Sequence, residues 1–113
     1  MRTLNDYFLT CQIADVSTAG QVYVAVPDDG KIIKVMSALN GAISGADADL
    51  TVKTAQGTAG TITIAQSGSA AGDVDTVEPS ANNYVKEGEA IEIETDGAST
   101  GAQGVAVTII VRR

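Results

Sequence analysis

Four separate stretches of this chain alternate apolar and polar residues with a period of two, and a fifth is apolar at every second position and nearly so between. Only a β-strand sends every second side chain to the same face. In residues 21–26, Val22, Val24 and Val26 fall on one side and Tyr23 and Ala25 on the other. In residues 49–54, Leu50 and Val52 alternate with Thr51 and Lys53, and in residues 61–65 Ile62 and Ile64 alternate with threonines. In residues 90–95, Ile91 and Ile93 alternate with Glu92 and Glu94. Such strands are apolar on one face only, the pattern of an antiparallel sheet with one wet side. The closing stretch is the exception: Val105, Val107, Ile109 and Val111 form one apolar face, while Ala106, Thr108 and Ile110 make the other nearly apolar too. The odd-numbered set belongs to the core. Ile110 fits either a second core contact or a contact with another subunit.

Turn residues separate these runs at short intervals. Pro27-Asp28-Asp29-Gly30 is a turn, and Asn40-Gly41 and Asp96-Gly97 are dipeptides of the hairpin type. Residues 57–60 and 67–72, rich in Gly, Ser, Thr and Ala, are expected to be loops. Short strands at this spacing give an all-β, antiparallel β-sandwich. Residues 31–43 are ambiguous, because Ile32, Val35, Met36, Leu39 and Ile43 could line a helix. The β-branched isoleucines and the flanking Gly30 and Gly41 favour a strand over residues 31–39. Residues 1–18 also alternate, with Tyr7, Leu9, Cys11 and Ile13 on one side. They form either the first strand or an arm reaching onto a neighbour, ahead of a sandwich domain at residues 19–113.

Aromatic residues make up only 4% of a chain that is 44% hydrophobic. The core must therefore be aliphatic, and ordering costs roughly 1.5 kcal/mol per residue, which a small aliphatic core barely offsets. Oligomerisation is the usual remedy. The net charge is −7, and the seven basic residues are scattered. That excludes nucleic-acid binding through a basic surface. The one cysteine, Cys11, allows no internal disulfide and is read as a small hydrophobe. The first residues lack the apolar core of a signal peptide and no run is long enough to span a membrane, so synthesis in a cytoplasm is expected.

Chemistry is thinly supplied. Histidine is absent, which removes the commonest general base and metal ligand. A single Cys cannot build a thiolate zinc site. Asp47-Ala48-Asp49 and Asp73-Val74-Asp75 have a spacing that could offer oxygens to calcium, but neither continues into a calcium loop. Glu87, Glu89, Glu92, Glu94 and Asp96 include no pair expected to be buried, as acid catalysis of glycoside cleavage requires. No enzyme, cofactor, metal or small-molecule substrate is expected.

Residues 68–76 (Gly-Ser-Ala-Ala-Gly-Asp-Val-Asp-Thr), residues 86–97 (Lys-Glu-Gly-Glu-Ala-Ile-Glu-Ile-Glu-Thr-Asp-Gly) and the closing residues 105–113, with residues 30–43 before them, resemble the capsid decoration, or cement, proteins of tailed bacteriophages and related head-fibre domains. The resemblance covers roughly residues 20–113, and its motifs are structural. It implies a jelly-roll-like sandwich, assembled as a homotrimer, that binds the major capsid protein at capsomer junctions on the outer surface of the virion and stabilises the head. It also implies that an N-terminal arm makes capsid contacts, here Arg2, Thr3, Leu4, Tyr7 and Phe8. Alternatives are a trimeric receptor-binding or fibre-tip domain of a phage tail, with residues 67–72 and 95–103 as its loops, and a carbohydrate-binding module using Tyr23 and Tyr84.

Overall fold

The structure, a computed structural model, describes residues 6–113. Among them are nine strands and no helix: β1 (Asp6–Ile13), β2 (Gly20–Ala25), β3 (Gly30–Leu39), β4 (Ala48–Thr54), β5 (Gly57–Ile64), β6 (Val74–Val77), β7 (Tyr84–Val85), β8 (Ala90–Thr95) and β9 (Val105–Arg112). They form two antiparallel sheets. Sheet A has the order β1-β9-β3-β6, with β7 also pairing β3, and sheet B has the order β2-β8-β4-β5. Six of the eight connections cross from one sheet to the other. That winding is a jelly roll, in which the first and last strands lie side by side and alternate members of the chain fill opposite sheets.

The core lies between the sheets and is aliphatic. Ile32, Val35, Leu50, Val52, Ile91, Ile93, Ile109 and Val111 have no solvent exposure, and no aromatic ring is among the fully buried side chains. Each alternating run places its expected face inward. The segment that could have been a helix is β3, and the source of its helical spacing is visible. Its register with β9 shifts between Ile32 and Lys34. Ile33 is the extra residue of a β-bulge, so Ile32 and Val35, three apart, both reach the core.

Two turn readings are corrected. Asn40-Gly41 and Asp96-Gly97 do not close hairpins: β3 pairs with β6, β7 and β9, and β8 pairs with β2 and β4, so both dipeptides lie in crossings between sheets. Residues 57–60 are not a loop but the start of β5, paired with the end of β4. The tight hairpin of the sandwich turns at Ala55-Gln56, a pair with no strong turn signature. Backbone pairing and the buried Ala59 settled what composition did not.

Two buried polar groups contrast. Asn83 donates from Nδ2 to the carbonyls of Ile32 (2.9 Å) and Pro79 (3.2 Å), and the Asn83 backbone carbonyl accepts from the Ile32 N–H (2.8 Å). It thereby ties the segment before β7 to the start of β3. Ser37, 2% exposed, has a hydroxyl with no hydrogen-bond partner in the protein. An unsatisfied buried hydroxyl costs about 1–3 kcal/mol. Ser37→Ala is therefore expected to raise stability by about 1 kcal/mol, read as a higher midpoint in urea unfolding. Asn83→Ala is expected to lower it by about 2 kcal/mol in the same assay.

Candidate assembly surface

The two outer faces of the sandwich differ sharply. On sheet A, three rows run across the strands: Phe8, Ile110 and Lys34; Thr10, Thr108, Met36 and Thr76; and Gln12, Ala106, Ala38 and Val74. Lys34 is the only charge among these side chains. Arg112 and Asp6 close the margin with a paired guanidinium–carboxylate contact at 2.9 and 3.1 Å. On sheet B, the rows are Gln21, Glu94, Thr51 and Thr61, then Tyr23, Glu92, Lys53 and Thr58. There Lys53 Nζ meets Glu94 at 3.0 Å, and that hydrogen bond holds the lysine pKa above its usual value. Sheet B's face is wet and acidic; sheet A's three rows hold a single charge among small, apolar and neutral polar side chains, and the other charges of that face, Asp6, Arg112 and Lys31, share one row at its margin.

The site residues expected from sequence fall in three places. Arg2, Thr3 and Leu4 lie outside the described residues. Tyr7 points inward on β1, packs against the core and donates its hydroxyl to the Asp28 carbonyl at 2.6 Å. Burial, reinforced by the charge of Asp28, pushes its phenol pKa up. Phe8 is on the outer face and 59% exposed. Ile110, half-buried, is its register partner across the β1–β9 ladder. Phe8 and Ile110 are thus brought together, and Tyr7 is turned away from both.

Other members of this face were not assigned to it from sequence, and Met36 was grouped instead with Ile32, Val35 and Leu39. Met36 and Ala38 were hidden by the bulge at Ile33, which blurs the period of two in β3. Val74, 57% exposed, begins the short strand β6 between two aspartates and read only as the middle of a D-x-D pair.

The acidic residues do structural work. Asp15 accepts from the Ser17 hydroxyl and backbone N–H, which holds its pKa below the usual carboxylate range. Asp47 accepts from the Gln66 N–H, Asp73 from the Ala70 N–H, and Asp96 from the Asp49 and Ala98 N–H groups. Asp75 points inward beside Ser37, where burial, and secondly the charge of Asp73, raises its pKa. Among the described residues, no group of three or more acids and cysteines is placed to hold a metal ion. Tyr23 and Tyr84 are both exposed but stand on different sheets, so they do not form one platform. Cys11 is half-buried, and desolvation raises its thiol pKa. Its alkylation by iodoacetamide at pH 7.5 is expected to be several-fold slower than that of the urea-unfolded chain.

Comparison by sequence finds no matching family model and no matching curated protein. Comparison by structure does find matches. A chain of the acidic stable capsid structure of the Helicobacter pylori bacteriophage KHP30 superposes with a TM-score of 0.63 at 10% identity, over 96% of this chain and 87% of that one. The nucleoplasmin-like N-terminal domain of Drosophila FKBP39 gives a TM-score of 0.50 at 13% identity, over 100% of this chain and 95% of that domain. What is shared is the fold. The jelly roll of this chain occurs nearly end to end, with little inserted or lost, in a protein of a phage capsid structure.

Proposed function

We propose that this chain is a virion structural protein: a capsid decoration (cement) protein that assembles as a homotrimer and binds the major capsid protein at capsomer junctions on the outer surface of the head. It is made in the cytoplasm of the host bacterium, and it stabilises the shell and catalyses nothing. The observation that carries the reading is the charge-poor centre of sheet A's outer face, three rows with Lys34 as their one charge, on a jelly roll of the kind found in the KHP30 capsid structure. A soluble monomer of net charge −7 would ordinarily spread charge over both faces; here the charges of sheet A's face are Lys34 and one marginal row, Asp6, Arg112 and Lys31. Within it Phe8 and Ile110 lie side by side and Phe8 and Val74 are exposed, apolar surface of the sort that marks an interaction site.

In this reading the acidic face of sheet B looks into solvent. Arg2, Thr3 and Leu4 contact the shell, and Ile110 lies in the contact between copies. Three modest contacts per trimer add as linked binding, so no single one has to be strong. Nucleic acid is not a partner, because an acidic surface repels phosphate.

The test is co-sedimentation. Purified protein is mixed with shells assembled without it and the shells are pelleted. Saturable binding that survives 0.5 M NaCl is expected, since apolar contacts are not screened as ion pairs are. Removing residues 1–5, which lie ahead of β1, is expected to cut that binding at least tenfold while leaving the unfolding transition in place. No pelleting at any protein concentration would contradict the reading.

A further inference from the structure

We infer that Asp75 and Ser37 form an acid-operated latch on the outermost strand of sheet A. When Asp75 takes up a proton, its carboxyl turns in, exchanges hydrogen bonds with the buried Ser37 hydroxyl and fastens β6 to β3. The latch belongs to the single chain and works whether or not the chain is assembled.

β6 is a short edge strand. It is joined to β3 through the pairs Val35–Val77, Met36–Thr76, Ser37–Asp75 and Ala38–Val74. Val74 and Thr76 are exposed, while Asp75 and Val77 alternate with them and face inward, Val77 against the core. Directly opposite residues of an antiparallel pair lie on one face, with Cβ atoms about 5 Å apart. One inward row therefore crosses the whole sheet: Cys11, Val107, Ser37 and Asp75. Val107 is 1% exposed and Ser37 2%. A carboxyl group ends a row whose other members lie in the core or against it.

That row is left unfinished. Among the described residues, Ser37 Oγ is buried without a hydrogen-bond partner, although Asp75 is its cross-strand neighbour. The carboxylate stays out of reach of a hydroxyl it could accept from. Charge is the reason. Drawing an ionised carboxylate down beside Val107 and Val77 strips it of water, which costs more than one hydroxyl bond returns. A protonated carboxyl escapes that penalty. It has an O–H to donate and a carbonyl oxygen to accept, and the Ser37 hydroxyl does both, so each satisfies the other.

The surrounding charges push the same way. β5, which packs on β6 where Gly60 meets Val77, has no ionisable residue. Lys31 and Lys34 of β3 stand on the outer face, and Glu78, just past β6, is exposed. Asp73 remains, a like charge two residues away whose carboxylate accepts from the Ala70 N–H at 2.9 Å. Burial first, and Asp73 second, accordingly raise the Asp75 pKa. The folded chain thus holds this proton more tightly than the unfolded chain does. Stability from the latch is gained as pH falls through the native pKa, is complete below the unfolded one, and is lost as pH rises again. Asp15, whose pKa is lowered, runs the other way.

Urea titrations of the full chain test the latch at pH 7 and at pH 3.5, the latter below the ordinary aspartate pKa of about 3.9. Asp75→Asn supplies a neutral donor and acceptor of the same shape. It is expected to raise the midpoint by about 0.5 M at pH 7 and to bring little gain at pH 3.5, where the wild type is already latched. Ser37→Ala is expected to raise the midpoint at pH 7, where its hydroxyl is unpaired, and to lower it at pH 3.5. In the Asp75→Asn background it is expected to lower the midpoint at both. A carbon-detected NMR titration reads the same contact without unfolding the protein. The Asp75 carboxyl is expected to titrate at a higher pH in the wild type than in Ser37→Ala, because the hydroxyl favours the protonated form. An Asp75 titration that stays put or moves up when Ser37 is replaced overturns the latch. So does a gain from Ser37→Ala that is equal at the two pH values.

Discussion

Deleting Thr108 from β9 is expected to abolish cooperative folding, whereas deleting Ile33 from β3 leaves a folded protein. Strand β9 is paired on both sides, to β1 and to β3, over nearly its whole length. Removing one residue from its middle flips either Val105 and Val107 or Ile109 and Val111 to the wet face, and all four are at most 1% exposed. Losing two such side chains from the core costs roughly 3–6 kcal/mol, and breaking two ladders adds to it, against a total stability of about 5–15 kcal/mol. Ile33 is different because it is the surplus residue of the bulge. Without it, Ile32, Lys34 and Val35 alternate regularly and keep their partners Val111, Ile110 and Ile109. Thermal melts followed by circular dichroism distinguish the two: a sloping line for the Thr108 deletion, a sigmoidal transition for the Ile33 deletion.

Gly97→Ala is expected to lose several kcal/mol, and Gly68→Ala about 1 kcal/mol, although both glycines have φ near +70° (69° and 74°). The left-handed backbone penalises both substitutions alike. At Gly68 an added Cβ meets nothing within 4 Å. At Gly97 it would lie 2.5 Å from the Ala19 nitrogen and 3.1 Å from the Thr18 carbonyl carbon, both backbone atoms that cannot turn aside. The neighbouring Thr95 hydroxyl donates to the Thr18 carbonyl at 2.7 Å, so the two segments are fastened where the methyl would push them apart. Forcing them adds about 1–3 kcal/mol. Urea titration of the two variants at equal protein concentration gives the difference directly; equal midpoints would contradict the close approach.

The same residues mark how far the sequence could be read. Strands with one wet face were legible because burial on one side imposes a strict period of two, and Val22/Val24, Leu50/Val52, Ile62/Ile64 and Ile91/Ile93 keep it. β3 was legible as a strand but not in detail, since one inserted residue changes the spacing from two to three. β6 was not legible at all: its four residues owe their place to pairing with Val35–Ala38, a contact some forty residues away in the chain. The crossings at Asn40-Gly41 and Asp96-Gly97 show the limit of turn chemistry. It says that the chain bends, but not whether the next strand lies beside the last or on the opposite sheet.

The candidate surface was half legible. Ile110 stood out because the odd-numbered face of its strand was already spoken for, leaving an apolar residue with no assigned neighbour. That Phe8 would stand beside it depends on β1 pairing with β9, between the two ends of the chain, and no local pattern encodes that pairing. The resemblance grouped Tyr7 and Phe8 as arm contacts, although the period of two already set Tyr7 with Leu9, Cys11 and Ile13. The alternation of β1 separates them, sending one ring inward to Asp28 and the other outward.

An aliphatic core and an outer face with exposed Phe8 and Val74 and few charges away from its margin point to a chain completed by its neighbours. Static light scattering of the full-length protein at ten micromolar tests this most directly. The expected mass is three times 11.5 kDa, held constant on tenfold dilution. A mass of 11.5 kDa across that range would contradict it.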